Sequence, residues 1–232
     1  MTGYESSPLR VTCQEVYCGY GMTAPASAHT HTADIDTTAD FLNTLSIDDG
    51  ATVEHLATAD DAIAFLAGRG LAHEEAVRGQ ATSVGERQWL ERVRLTRSAL
   101  RVLWDAEVEH DAADPAAIAA VNAVLREAPR IELVIGDDAC GIGHRHTADD
   151  PTGEALARLV EPFIAAVAAG TTGRLRICAN DDCRWAFEDT SRAGRRRWCD
   201  MTSCGNVAKA RRYRARKREA AGEVAGAGDS PA

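Results

Sequence analysis

Apolar residues recur most regularly between Trp89 and Trp104, where Trp89, Leu90, Val93, Leu100, Leu103 and Trp104 fall three or four positions apart. That period places them on one face of an α-helix, which the pattern carries to about His110. Ser83 and Glu86 have capping-box spacing, so the helix is expected to begin there. Upstream, "TTADFLNTL" (37–45) starts a short helix. Thr58 caps a second in "TADDAIAFLAGRG", with acids in its first turn and glycines at its end. Downstream, Asp114-Pro115 is an N-cap followed by proline at the first helical position, and Ile118, Val121 and Leu125 continue one face until Pro129. "RIELVIG" (130–136) and "GIGHRHT" (141–147) read as the arms of a hairpin. Asp150-Pro151 opens a last long helix through Leu156, Leu159, Val160, Phe163, Ile164 and Val167, with a kink expected at Pro162 and an end at Gly170.

The fold class expected from this order is α+β: a mainly helical N-terminal domain with a small hairpin or sheet, and no internal repeat. Residues 1–30 are rich in Thr, Ser, Ala and Gly without a period and are expected to be disordered, as is the tail 219–232. Between them the expected units are a body at 31–172, joined by "GTTG" (170–173) to a small second unit at 173–218.

Charge sharpens that division. The chain of 232 residues has a formal net charge of −9. Residues 173–218 nevertheless hold 14 Lys and Arg against 5 Asp and Glu, a net of +9, while residues 1–172 carry −15. The basic unit is therefore the one suited to a polyanion. There is no run long and apolar enough to span a membrane and no basic-then-apolar leader at the start, so a cytoplasmic protein is expected, nucleoid-associated if it binds DNA. Seven cysteines, an odd number, fit metal binding better than a disulfide framework in that setting.

The basic unit also holds four of those cysteines. Cys178 and Cys183 are separated by four residues, Cys199 and Cys204 likewise, and fifteen residues lie between the pairs. Four thiolates complete a tetrahedral zinc shell, and matched pairs in a polar, Arg-rich segment are poor core material. A single structural Zn²⁺ on Cys178, Cys183, Cys199 and Cys204 is expected. The segment between the pairs carries "RWAF" and "RRRW" around a polar turn, two strand candidates. With a helix begun at Asn206, just after the last cysteine, a treble-clef arrangement follows: a knuckle, a hairpin, then a helix. A closed shell of four sulfurs leaves no place for a catalytic water. Cys13, Cys18 and Cys140 read as free thiols, and His144-Arg145-His146 as surface residues lacking a third ligand.

Beyond Cys204, Lys209, Arg211, Arg212, Arg214, Arg216, Lys217 and Arg218 fall all round a helix and leave only Val207 and Tyr213 for packing. Such a helix gains nothing from burial, and its like charges repel. Phosphates along its length would complete it, which favours nucleic-acid binding over a merely solvated face. Arg195, Arg196 and Arg197 are candidates for the same surface and for offsetting the negative metal cluster. Lys209, Arg212 and Arg216 share one flank.

These residues resemble a known family. Cys178, Cys183, Trp185, Phe187, "Asp189-Thr190-Ser191-Arg192", "Arg196-Arg197-Trp198-Cys199", Met201 and "Cys204-Gly205-Asn206" look like the CGNR zinc finger, and "Asp40-Phe41-Leu42-Asn43-Thr44" and "His55-Leu56-Ala57-Thr58-Ala59-Asp60" resemble its partner domain, ABATE. The resemblance implies a bacterial protein with a mainly helical body, a zinc finger on the four cysteines, and a role in transcription regulation under stress. One position departs: Val207 stands where the motif's final Arg would be.

The leading expectation is a DNA-binding regulator whose body senses a signal or forms a homodimer. The alternatives are an RNA-binding protein, with Trp185, Phe187, Trp198 and Tyr213 as stacking candidates, and a finger that docks an acidic protein partner. No nucleophile–base set or phosphate loop points to an enzyme.

Overall fold

The computed structural model describes residues 34–48, 50–126, 130–135, 140–145 and 150–226, with side chains for 34–48, 50–126 and 150–218. The expectations for residues 1–30, Cys13, Cys18, Pro129 and His146 lie outside the described residues, as does that for the Cys140 side chain.

The described body is mainly helical. In chain order come α1 (Ile35–Leu42), a hairpin of β1 (Leu45–Asp48) and β2 (Ala51–Glu54), then α2 (Ala59–Gly68), α3 (Glu74–Val84), α4 (Glu86–Glu109) and α5 (Pro115–Leu125). A second hairpin, β3 (Arg130–Ile135) with β4 (Cys140–Arg145), precedes α6 (Pro151–Ala169). Each of the three hairpins in the described chain is a separate antiparallel pair, so no continuous sheet forms.

Helix α4 is the organising element, because α1, α2, α3, α5 and α6 all pack against it. It buries Trp89, Leu90, Val93, Leu100, Leu103 and Trp104, the face that the apolar period marks. The Trp104 ring stacks on Phe163 of α6 at 6.0 Å between centroids. Trp89 buries its indole but keeps its polar handle satisfied, donating Nε1–H to Thr152 Oγ1 at 2.7 Å. The capping of α2 follows the sequence: Thr58 accepts from the Asp61 backbone while the Asp61 carboxylate accepts from that of Thr58. Asp114 and Asp150 likewise cap α5 and α6, each followed by proline.

Several details differ from the expectations. Ser83 does not cap α4; it lies inside α3 and donates its hydroxyl to the Gln80 carbonyl. The break falls at Gly85, whose φ of +91° is a conformation L side chains rarely adopt, so the chain turns there without a side-chain cap. The buried face of α5 is Ala117, Val121 and Val124 rather than that of Ile118, which is 41% exposed. Helix α6 runs as one helix through Pro162. Helix α7 (Asn206–Gly226) continues past residue 218 into the expected tail, where the run of alanines and glutamates favours helix.

One ion pair crosses the body where α4 meets the β1–β2 hairpin. Arg97, 3% exposed, places both Nη atoms on the Glu54 carboxylate at 2.7 and 2.5 Å, and its Nη1 also donates to Thr44 Oγ1. Burial disfavours the Glu54 carboxylate, but its hydrogen bonds to Arg97 and the Leu56 N–H hold its pKa below the ordinary value. Replacing Glu54 by Ala leaves a buried guanidinium without its counter-charge and should cost about 3 kcal/mol or more. Urea unfolding of the two proteins checks this; a loss within experimental error would show the pair to be dispensable.

Candidate zinc centre and basic helix

The second unit starts with a 3₁₀ turn (Thr172–Arg174) and a short hairpin, β5 (Leu175–Ile177) paired with β6 (Ala186–Glu188). This corrects the expected pairing: "RWAF" contributes a strand, but its partner lies upstream of the cysteines, and "RRRW" is irregular loop. The reason is burial. Leu175 and Ala186 are both 2% exposed, so this pairing sends the inward face of the hairpin onto the body. The first cysteine pair therefore occupies the β5–β6 connection instead of preceding a hairpin.

That connection is a tight knuckle. Cys178 N–H donates to the Trp185 carbonyl at 2.8 Å, and the N–H groups of Cys183 and Arg184 both reach the Asn180 carbonyl. Arg184 takes φ +55° to complete the turn. The second pair is brought alongside by Ala179 N–H donating to the Arg197 carbonyl at 2.8 Å. Cys204 then sits in a π-helical turn (Met201–Gly205) that leads straight into α7. The cap of this helical segment is Asp200, which accepts from Ser203 N–H, and not the expected Asn206.

These contacts bring all four expected cysteines together: the Sγ atoms of Cys178, Cys183, Cys199 and Cys204 lie within 4.8 Å of one another. Sulfurs at the corners of a zinc tetrahedron with Zn–S near 2.3 Å are about 3.8 Å apart. Cys183 to Cys199 is 3.6 Å and Cys199 to Cys204 is 3.8 Å, so the set has the size of that tetrahedron and could hold one zinc ion. The thiols also differ in proton affinity. Cys178 is drawn down to about 5, chiefly because the Cys199 thiol donates to it, and backbone N–H groups of Cys199 and Asn180 help. Burial pushes Cys183 up to about 11, and donation to Cys178 raises Cys199. Asn180 Nδ2 approaches Cys204 Sγ at 3.7 Å, a further dipole aimed at sulfur.

Much of the surrounding charge has structural employment that the sequence did not show. Arg174 donates to the carbonyls of Asp189 and Ser191, and Arg176 to that of Gly194, pinning the loop between the cysteine pairs. The same loop closes on Asp189, 1% exposed, which accepts from the N–H groups of Ser191 and Arg196. Burial works against its charge, but those bonds, the Ser191 hydroxyl and the charge of Arg176 prevail and bring its pKa to about 2. Arg196 lies over the Phe187 ring at 5.1 Å and donates to the Cys199 carbonyl, and Arg197 lies over Trp198 at 5.1 Å. Arg211 reaches back from α7 to Asp182 and Asn180 on the knuckle.

The rest of the expected basic surface is free of such ties. Among the described residues, Arg195, Lys209, Arg212, Arg214, Arg216 and Lys217 are exposed, and their side chains make no protein hydrogen bond or ion pair. Lys209, Arg212 and Arg216 line one shallow concavity with Ala215, the flank marked by their spacing. Tyr213 is 63% exposed and Val207 42%, so α7 packs little beyond its first turn.

The finger is also bonded to the body. Asn43 straddles Ala186 of β6, its Nδ2 donating to the carbonyl at 2.9 Å and its Oδ1 accepting from the N–H at 2.8 Å. Trp104 Nε1–H donates to the Arg176 carbonyl, and Arg101 Nη2 to that of Arg184. Asn43 belongs to the "DFLNT" motif, whose side-chain role no local pattern discloses.

Replacing any one of the four cysteines by serine should abolish stoichiometric zinc, read by elemental analysis of purified protein. Zinc must displace the protons of the raised thiols Cys183 and Cys199, so its affinity should climb as pH rises from about 6 to 8 and fall as pH drops. Competition against a chelator at several pH values measures this, and an affinity indifferent to pH would contradict a thiolate shell.

Two family models match the chain. The ABATE model, described as "Putative stress-induced transcription regulator", covers residues 36–173, and the CGNR zinc-finger model covers residues 174–217. No curated relative matches. With its body and finger matched in that order, the chain belongs to the ABATE family and carries a CGNR zinc finger at its C-terminal side.

Proposed function

We propose that this chain is a zinc-dependent DNA-binding transcription regulator, in which Cys178, Cys183, Cys199 and Cys204 ligate one structural zinc ion and α7 contacts duplex DNA. The observation that carries the reading is the helix itself. From Asn206 to Arg218 it bears seven Lys and Arg with no acidic residue, lies almost wholly exposed, and is rooted beside Cys204. A helix so charged has no apolar face to bury, and phosphates supply the counter-charges that the protein withholds. Lys209, Arg212 and Arg216 form the leading contact flank, with Arg195, Arg214 and Lys217 adding phosphate contacts. Arg196, Arg197 and Arg211 act mainly by shaping the finger. The zinc serves structure, since four sulfurs fill its shell and leave no site for water activation. A family of regulators joined to a zinc finger fits a non-enzymatic role. The body supplies sensing or dimerisation.

RNA is the second reading, favoured by Trp185, 42% exposed, and Tyr213, both able to stack on bases. Phe187 and Trp198, the other stacking candidates, are each overlain by an arginine.

The test uses the full chain with zinc, because β5 and β6 depend on Asn43, Arg101 and Trp104 of the body. Fluorescence anisotropy with duplex DNA should show log K falling linearly with log salt, by about 0.9 per phosphate neutralised. Arg212→Ala should weaken binding several-fold and make the slope shallower by about one phosphate. A flat salt response would remove the nucleic-acid readings altogether. Preference for single-stranded RNA, lost in Tyr213→Ala, would transfer the function to RNA.

A further inference from the structure

A cavity of about 390 Å³ opens where the body meets the finger, between α4, the β1–β2 hairpin and the zinc knuckle. Its volume falls in the range of small-ligand sites. Leu42, Leu45 and Ile47 supply an apolar side, and Arg97, Arg101 and Arg184 bring three guanidinium groups to the same space. The arginines retain donors. Arg97 Nε is the one buried side-chain nitrogen or oxygen among the described residues without a partner, although Arg97 is only 3% exposed. A buried donor left without a partner is disfavoured, so an acceptor that reaches it is preferred. Arg101 uses Nε for Asp105 and Nη2 for the Arg184 carbonyl, which leaves Nη1 unbonded. Arg184 spends one nitrogen on Glu109. Each guanidinium already has one carboxylate partner, Arg97 with Glu54, Arg101 with Asp105 and Arg184 with Glu109, so what the three offer a ligand is the N–H donors left over.

We propose that this cavity binds a small organic monoanion: a carboxylate with a compact apolar body, its headgroup held by Arg97, Arg101 and Arg184 and its apolar part lying on Leu42, Leu45 and Ile47. Arginine presents paired N–H donors that match a carboxylate, and the apolar side favours an organic acid over inorganic phosphate. A ligand seated there touches α4, the hairpin and the residue next to Cys183 at once. This gives the sensing role proposed above a location and a ligand class; it rests on that role for its purpose but not for its binding.

Calorimetric titration of the full-length zinc protein with hexanoate, hexylammonium, hexanol and inorganic phosphate tests the site. Hexanoate should bind with a Kd on the order of 1 mM or tighter, and the other three at least about tenfold more weakly. Ser98→Trp fills the mouth from the exposed side of α4, and Leu45→Glu sets a negative charge at the rim; each should weaken hexanoate about tenfold or more. Zinc content and helical circular dichroism report folding, and if Ser98→Trp fails to fold, Leu45→Glu decides. Absence of hexanoate binding at about ten times that Kd, equal binding of hexylammonium or phosphate, or undiminished binding by the folded variants would overturn the proposal. Hexanoate binding in a chain that ignores DNA would remove the regulator reading and keep this site; DNA binding without hexanoate binding would do the reverse.

Discussion

Four sulfur atoms gathered within 4.8 Å are the constraint on which the finger depends. As thiolates they repel one another, and as thiols they make only weak hydrogen bonds, so a divalent cation is what turns the cluster into a fixed point. The segment has little else to hold it. Its two strands are three residues each, and Cys178, Cys204, Leu175 and Ala186 are the apolar groups it buries. Metal therefore stands in for a core of its own, as it commonly does where a unit is too small to bury enough surface.

That fixed point is not isolated from the body. Asn43 treats Ala186 as a neighbouring strand would, satisfying both of its backbone groups, while Trp104 and Arg101 cap two further carbonyls of the finger. Trp104 is also a central residue of the α4–α6 core, stacked on Phe163. The chain that orients α7 thus runs from a packed tryptophan through the β5–β6 hairpin to the cysteines and into the helix. Sulfur geometry sets where α7 starts, and these few hydrogen bonds set how that start sits against the body. The cavity lined by Arg97, Arg101 and Arg184 lies on the same path.

How far this was legible in the sequence depended on whether the signal was local. The α4 face, the Thr58–Asp61 box, the aspartate–proline starts of α5 and α6 and the β3–β4 hairpin are all written within a few residues of where they act. The cysteine quartet was equally plain, because ligand spacing survives without knowledge of the fold. What escaped was either faint or long-range. Helix α3 buries only Val77 and Ala81, too few apolar positions to show a period. The β1–β2 hairpin is marked only by an Asp-Gly pair between two runs of four residues, each too short to show a period. The pairing of β6 with β5 rather than with "RRRW" is decided by which face meets the body, and the structural duties of Arg174, Arg176 and Arg196 look from the chain like any other positive charge. Charge counts alone thus overstated the surface offered to a polyanion: several of the basic residues are clamps.

X-ray absorption at the zinc edge on the purified full-length protein tests the central claim most directly. A single shell of four sulfurs at about 2.3 Å is the result this account requires. A shell containing nitrogen or oxygen ligands, or no bound zinc at all, would contradict it.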